Sequence, residues 1–349
     1  MKKSLLVVGI RLREYPRNVV LLNALTEVFG TTEVSLNNLS QLGLLKVLFS
    51  YRNNVDGVML VQPAQRFAPA LLVFRMVSGM TIIGDAFTSI YDTLVNDRAL
   101  ARKWSLKAAY YFVLDMIFVQ ACDTLIFDTE EHKDFFVNTF RIKRRCVIVP
   151  VSIDMEAMKN ITAEPLPTWN ESYFRVLFWG YYIPLQGVEY IIRAAVVLKD
   201  HPHIRFTLLG GGQTKNEMVE LVATMGVKKN IAFLPPVEHE ELLRYTKGAD
   251  LMLGIFGKSE KAGRVIPNKI IESAALGVPI VTGRSTPVER FFEEGENIFF
   301  CNMSDPEDLA KVILKAYNTK DLARIGRGGQ EVVSRHFSTE HLCHILKTL

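Results

Sequence analysis

Residues 253–279 read LGIFGKSEKAGRVIPNKIIESAALGVP. One apolar run, ADLMLGIF, leads into this segment, and another, VPIVTG, leaves it. Two such runs around a segment of helical character predict strand, loop, helix and strand in succession. The helix is expected over 268–276, with Pro267 at its first turn and Gly277 just past its end. The loop before it carries Lys258, Glu260, Lys261 and Arg264, while Lys269 and Glu272 stand inside the helix. A cationic loop feeding a helix N-terminus suits an anion, because unpaired N–H groups and the positive end of the peptide dipoles point there. With the carboxylate of Glu272 one turn further in, phosphate together with a sugar hydroxyl is the ligand these groups fit.

The same alternation extends outward in both directions. FRVLFWG, IRFTLLGGG, NIAFLPPV and NIFFC read as further strands of the second half, with helices over 188–199, 215–224, 238–246 and 306–317. In the first half SLLVVGI, VDGVMLVQ, MTIIGDAF, DTLIFDT and CVIVPV read as strands, and longer segments between them, such as 18–29 and 99–120, read as helices. Nearly continuous apolar strands alternating with helices imply an α/β chain whose parallel sheets are covered on both faces. A length of 349 residues suits two domains. We place the first at 1–154 and the second at 173–335, joined by a linker over 155–172 rich in Pro, Asn and Glu. A C-terminal helix within 336–349 is expected to pack back on the first domain. Two doubly wound domains would take a ligand between their carboxyl strand ends.

With 49% hydrophobic and 22% charged residues the chain is globular, and its net charge of +4 suits an anionic ligand or an acidic membrane surface without pointing to nucleic acid. Cys122, Cys146, Cys301 and Cys343 are scattered, with no C-x-x-C or Cys/His cluster, so no metal site is expected and free thiols in a reducing cytoplasm are the simplest reading. The apolar run in MKKSLLVVGI is short, has no cleavage site after it, and is read as a first strand rather than a leader. No run approaches the ~20 apolar residues of a membrane-spanning helix. No G-x-G-x-x-G follows the first strand, which disfavours a nicotinamide dehydrogenase.

Taken in order, FRVLFWGYYIPLQGVEYIIRAA, FTLLGGGQ, NIAFLPPVEHEEL, the segment quoted first, and EGENIFFCNMSDPEDLAKVI resemble the nucleotide-sugar domain of glycosyltransferase family 4 across residues 174–313. VIPNK followed by a helix and A-x-G-x-P resembles a subgroup associated with cell-surface polysaccharide and lipid-linked glycan assembly. In the first half VPVSIDMEAM resembles the family's strand into its hinge, with Val151 and Ser152 replacing the usual Asn-Gly. The resemblance implies the GT-B fold, two Rossmann-like doubly wound domains facing across a cleft. It implies transfer of a sugar from a nucleoside diphosphate sugar to a hydroxyl of a glycan or lipid-linked acceptor. Retention of configuration, no metal and no cofactor beyond the donor are part of the same expectation.

The resemblance also implies a donor site, carried over residue by residue. Gly180 opens the loop GYYIPLQG, where backbone can approach a phosphate, but the family's cations in this loop are replaced by Tyr181 and Gln186. Gly210, Gly211 and Gly212 follow the next strand and lie beside the nucleotide, and Pro236 and Val237 match the loop that reads the base. Glu272 matches the second carboxylate of the E-x7-E motif and is expected on the ribose hydroxyls. Arg264 stands where the first carboxylate should be, the sharpest departure in the chain. Lys261 and Arg264 are therefore expected to clamp the diphosphate and act on the chemistry, with Asn268 and Lys269 in the first turn beside them. Each has an ordinary reading too: glycines in plain turns, and charges on a solvated loop.

In the first half Asp85 follows the strand where the family often has His, and could bind a donor hydroxyl, act as base or cap a turn. Arg11 and Arg13 in GIRLREYPRN, and Glu130 after a later strand, are candidates on the acceptor side. Arg98, Arg102, Lys103 and Lys107 cluster with Trp104, Tyr110, Tyr111 and Phe112, a composition suited to an anionic bilayer interface on the cytoplasmic side, and FAPALLVFRMVSGM adds apolar surface. Two rival readings remain open: a GT-B nucleotide-sugar epimerase, and a degenerate member that binds nucleotide or glycan without catalysis.

Overall fold

The computed structural model describes residues 2–10 and 12–349 and divides into two compact units, 1–152 with 339–349, and 153–338. The first unit runs β1 (Ser4–Gly9), α1 (Pro16–Val28), β2 (Gly30–Ser35), α2 (Gln41–Tyr51), β3 (Gly57–Leu60), α3 (Ala68–Ser78), β4 (Thr81–Asp85), α4 (Leu106–Ala121), β5 (Thr124–Phe127), α5 (Glu130–Phe140) and β6 (Arg145–Ile148). The second runs α6 (Met155–Lys159), β7 (Phe174–Trp179), α7 (Val188–Val197), β8 (Ile204–Leu209), α8 (Lys215–Thr224), β9 (Ile231–Leu234), α9 (His239–Lys247), β10 (Leu251–Leu253), α10 (Asn268–Ala275), β11 (Ile280–Gly283), α11 (Thr286–Glu289), β12 (Phe299–Cys301), α12 (Pro306–Tyr317) and α13 (Leu322–His336). The last helix, α14 (Thr339–Leu346), returns to the first unit.

Each unit holds a six-stranded parallel sheet, ordered β2-β1-β3-β4-β5-β6 in the first and β12-β11-β10-β7-β8-β9 in the second. Successive strand residues point to opposite faces, so Leu6 and Val8 pack under α2, α3 and α4, while Leu5 and Val7 pack under α1 and α14. The order reverses between β1 and β3 in one sheet and between β7 and β10 in the other. At such a reversal the neighbouring loops diverge and leave a crevice at the carboxyl ends of the strands. In the second sheet the GYYIPLQG loop and the segment quoted first flank this point, and they join where Phe256 N–H donates to the Gln186 carbonyl at 3.1 Å and Gly257 N–H to the Leu185 carbonyl at 3.2 Å.

Four features differ from expectation. β2 pairs along the edge of the first sheet beside β1 and was not foreseen, because GTTEVS has no apolar run. The helix expected over 99–120 starts at Leu106: Ala99 and Trp104 take left-handed φ of 51° and 67°, and the Ser105 hydroxyl caps α4 by accepting from Ala108 N–H at 3.1 Å. α13 was also unforeseen, since three glycines argue against a helix. They are there for contact. A Cβ on Gly326 would fall 2.0 Å from the Gly277 carbonyl, so only glycine lets α13 lie this close to the end of α10. Residues 155–172 belong to the second unit, where Leu166 is buried, Glu164 N–H donates to the Arg244 carbonyl at 3.1 Å, and Lys247 Nζ donates to the Ile161 carbonyl at 2.6 Å.

Candidate functional site

α10 is the centre of the site. It runs from Asn268, with Pro267 before it and Gly277 in the left-handed conformation after it, so sequence punctuation sets both its ends. Ile270, Ile271, Ala274 and Ala275 are buried, and so are its two charged residues, Lys269 and Glu272. Lys269 is only 3% exposed. Its ammonium donates to Gln186 Oε1 at 2.6 Å and sits 3.7 Å from the centre of the Phe178 ring, at the end of β7. Burial holds its pKa well below the usual lysine range, with Glu272 pulling the other way. The amine therefore lies directly under Gly180: a Cβ there would come within 3.2 Å of Nζ.

This arrangement gives a meaning to one of the departures noted above. The loop after β7 lacks its own cation at Gln186, but the neutral amide there holds a cation supplied by α10. Glu272, one turn on, meets His239 at the start of α9, Oε1 to Nε2 at 3.3 Å. That hydrogen bond raises the imidazole pKa. The second oxygen, Oε2, is buried with no hydrogen-bond partner among the described residues. A buried carboxylate oxygen left open is an acceptor for a ligand hydroxyl, since leaving it unmet costs about 1–3 kcal/mol.

The loop after β10 contains a short turn, Glu260–Arg264. Lys261 is buried within it, and the Arg264 guanidinium makes a 3.4 Å contact with the exposed Glu260 carboxylate. Asn268 is half-buried at the first position of α10, and Tyr181 is exposed on the facing loop. Gly210 packs against Gly180, where a Cβ would lie 2.1 Å from the Gly180 carbonyl. The β7 and β8 loops also join through Tyr182 N–H, which donates to the Gly211 carbonyl at 2.9 Å, and Thr214 N–H, which donates to the Tyr182 carbonyl at 3.0 Å. Gly211 lies open near Pro236, and half-buried Val237 precedes His239 by two residues. Two residues of this region were not singled out in the sequence. His239 lies inside a quoted motif, and its position at a helix start just after Pro236 and Val237 was the available signal. Lys215, at the start of α8, lies 4.1 Å from the Phe233 ring centre, and desolvation brings its amine down to about 8.

The first unit treats its candidates differently. Asp85 ends β4 completely buried and pairs with Arg17 Nη1 at 2.5 Å, while its carbonyl accepts from Gln62 Nε2 at 2.5 Å. Burial raises its pKa and Arg17 opposes the rise. Arg17 also lies 4.3 Å from the Phe87 ring centre. Asp85 is thus brought to a buried guanidinium rather than to open surface. Just past the end of β5, Asp128 Oδ1 meets His132 Nδ1 at 2.7 Å, both buried. Arg13 forms a surface pair with Glu33 of β2, and Glu130 pairs with Lys133 within α5. Arg11 lies outside the described residues.

Two parallel doubly wound sheets of this kind are the GT-B architecture. Across 99% of each chain the structure superposes on HepE of Anabaena, solved with uridine diphosphate glucose, at a TM-score of 0.73 and 14% identity. Residues 164–331, all within the second unit, match the family described as Glycosyl transferases group 1. The matched stretch covers just under half of the chain, and α10 with its two buried charges lies inside it. Among curated relatives, a D-inositol 3-phosphate glycosyltransferase of Streptomyces avermitilis is 26% identical over 249 residues, covering 67% of this chain and 53% of the relative. The lipopolysaccharide core biosynthesis glycosyltransferase LpsE of Rhizobium meliloti is 26% identical over 166 residues, covering 47% and 46%. The chain spans about half the length of these curated relatives.

Proposed function

We propose that this protein is a glycosyltransferase whose second unit holds a nucleoside diphosphate sugar at the carboxyl ends of β7 and β10. The observation that carries the reading is the pair on α10: a buried cation held under Gly180 and, one turn away, a buried carboxylate with an open oxygen. The diphosphate lies against Lys269, Lys261, Arg264 and the N-terminus of α10. The ribose hydroxyls donate to Glu272. The bond between the anomeric carbon and the diphosphate breaks as the acceptor hydroxyl attacks from the same face, and the acceptor proton leaves with the phosphate oxygen. Cations and main-chain N–H groups stabilise the leaving group, so charge stabilisation rather than a strong base carries the step. This accords with Asp85, whose carboxylate is engaged by Arg17.

The transfer is proposed to retain configuration and to need no metal, and the acceptor is proposed to be a glycan or lipid-linked hydroxyl of a cell-surface polysaccharide. The ligand of HepE makes uridine diphosphate glucose the first donor to try. Thermal-shift titration with a panel of nucleotide sugars should raise the melting temperature for the true donor, and that donor should be turned over at undiminished rate in EDTA. Binding without turnover of any donor would favour the non-catalytic reading, for which Arg264 at the E-x7-E position is the specific observation. Isomerised donor without acceptor would favour an epimerase.

A further inference from the structure

The outward stripe of α4 is apolar. Leu106, Ala109, Tyr110, Val113 and Met116 recur at helical spacing and are exposed, whereas the helix's one acidic residue, Asp115, is buried. A water-facing helix normally shows the opposite arrangement. Asp115 is held inside by real partners: it accepts from Ser89 Oγ at 2.6 Å, Tyr91 N–H at 2.9 Å and Ile90 N–H at 3.1 Å. α3 packs beside α4 and continues the surface with exposed Val73, Met76 and Val77. Its one charge, Arg75, is turned to Asp123 and the Gln120 carbonyl. Before α4, Trp104 stands 99% exposed on a left-handed backbone.

Positive charge brackets this apolar face at both ends of α4. Arg102, Lys103 and Lys107 are exposed around Trp104. Beyond the other end, Arg141, Lys143 and Arg144 line a cavity of about 440 Å³ with Val119 and Gln120. An apolar stripe with an indole at one end and cations at both ends is complementary to acyl chains beneath anionic headgroups. It is poorly suited to a second copy of itself, because a two-fold pairing would set cations against cations. Among the described residues no helix is long and apolar enough to cross a membrane.

We propose that the α3–α4 face of the first unit docks on the surface of an anionic phospholipid bilayer, with Trp104 and Leu106 entering the interface and the flanking lysines and arginines meeting the headgroups. The proposal is independent of the donor-site reading, because its measurement is binding of nucleotide-free protein to vesicles. The full chain should sediment with mixed phosphatidylglycerol–phosphatidylcholine vesicles about tenfold better than with pure phosphatidylcholine, and high salt should remove the difference. Tryptophan emission should shift to the blue on binding, and the shift should shrink in Trp104→Phe. Trp104→Ser with Leu106→Ser should abolish binding at an unchanged melting temperature, since these side chains are 99% and 92% exposed. Lys103→Glu with Lys107→Glu should weaken it at low salt. Absence of binding, equal binding to both vesicle types, or a solution dimer broken by Leu106→Ser would overturn the proposal.

Discussion

Both units bury a cation near the carboxyl ends of their strands, and they compensate it differently. In the first unit, Arg17 faces a full carboxylate, Asp85, and the pair is closed from solvent. In the second, Lys269 faces a neutral amide, Gln186, and an aromatic ring, with Glu272 one turn off and half-engaged by His239. A buried charge that already has its counter-ion serves the fold, and removing either partner strands the other. A buried amine whose direct partners are a neutral amide and an aromatic face gains a counter-ion when an anion enters. The comparison sets a charge with its own counter-ion against one for which a ligand-binding role is proposed, without reference to any relative.

The largest expected effect lies in the first unit. Arg17→Ala should destabilise by about 3–5 kcal/mol in denaturant titrations, because Asp85 would be left buried and unpaired. A loss under about 1 kcal/mol would mean that the pair is not the keystone of that face. In the second unit Lys269→Met should behave oppositely, holding stability within about 1 kcal/mol while weakening nucleoside diphosphate affinity some 10–100-fold by calorimetry. If both variants unfold the protein equally, the distinction between the two cations fails.

Arg264→Glu restores the motif of the resembling family and should still lower turnover about tenfold if the guanidinium serves the phosphates. Full activity would remove Arg264 from the chemistry. The smallest effect concerns His239, whose folded pKa is raised above 6.5 by Glu272. Its stabilising contribution is full below pH 6.5 and is lost as pH rises through the folded value. Solvent screening of this partly exposed ring limits the contribution to a few tenths of a kcal/mol, so the pH slope of the melting temperature above neutrality should flatten slightly in His239→Gln.

Much of this contrast was legible in the residues, and unevenly so. Central strands such as β7 and β8 announce themselves as unbroken apolar runs because both their faces are covered. β2 does not, since an edge strand with half-exposed side chains carries no such run. α10 was legible to within a residue because Pro267 and Gly277 punctuate it. α13 was hidden, because its glycines answer to the backbone of another element rather than to local propensity. In the site, Lys269 and Glu272 could be named from spacing on one helix. The bond from Lys269 to Gln186 spans 83 residues and that from Arg17 to Asp85 spans 68, and no local pattern records either. The absence of a cation at 186 was visible, whereas its replacement from α10 was visible only in three dimensions.

α14 gives the ribosome an ordering problem. Leu342, Cys343 and Leu346 pack with Leu21, Leu22 and Leu25 of α1, so the core on that side of the first sheet is completed by residues made more than 300 positions later. The second unit is contiguous and has all its strands once residue 301 has emerged. Domains usually mature in the order of synthesis. Here the earlier-made sheet keeps an oily seam uncovered until α14 has emerged, so the contiguous second unit is the first to finish and the first unit is the one that chaperones would meet.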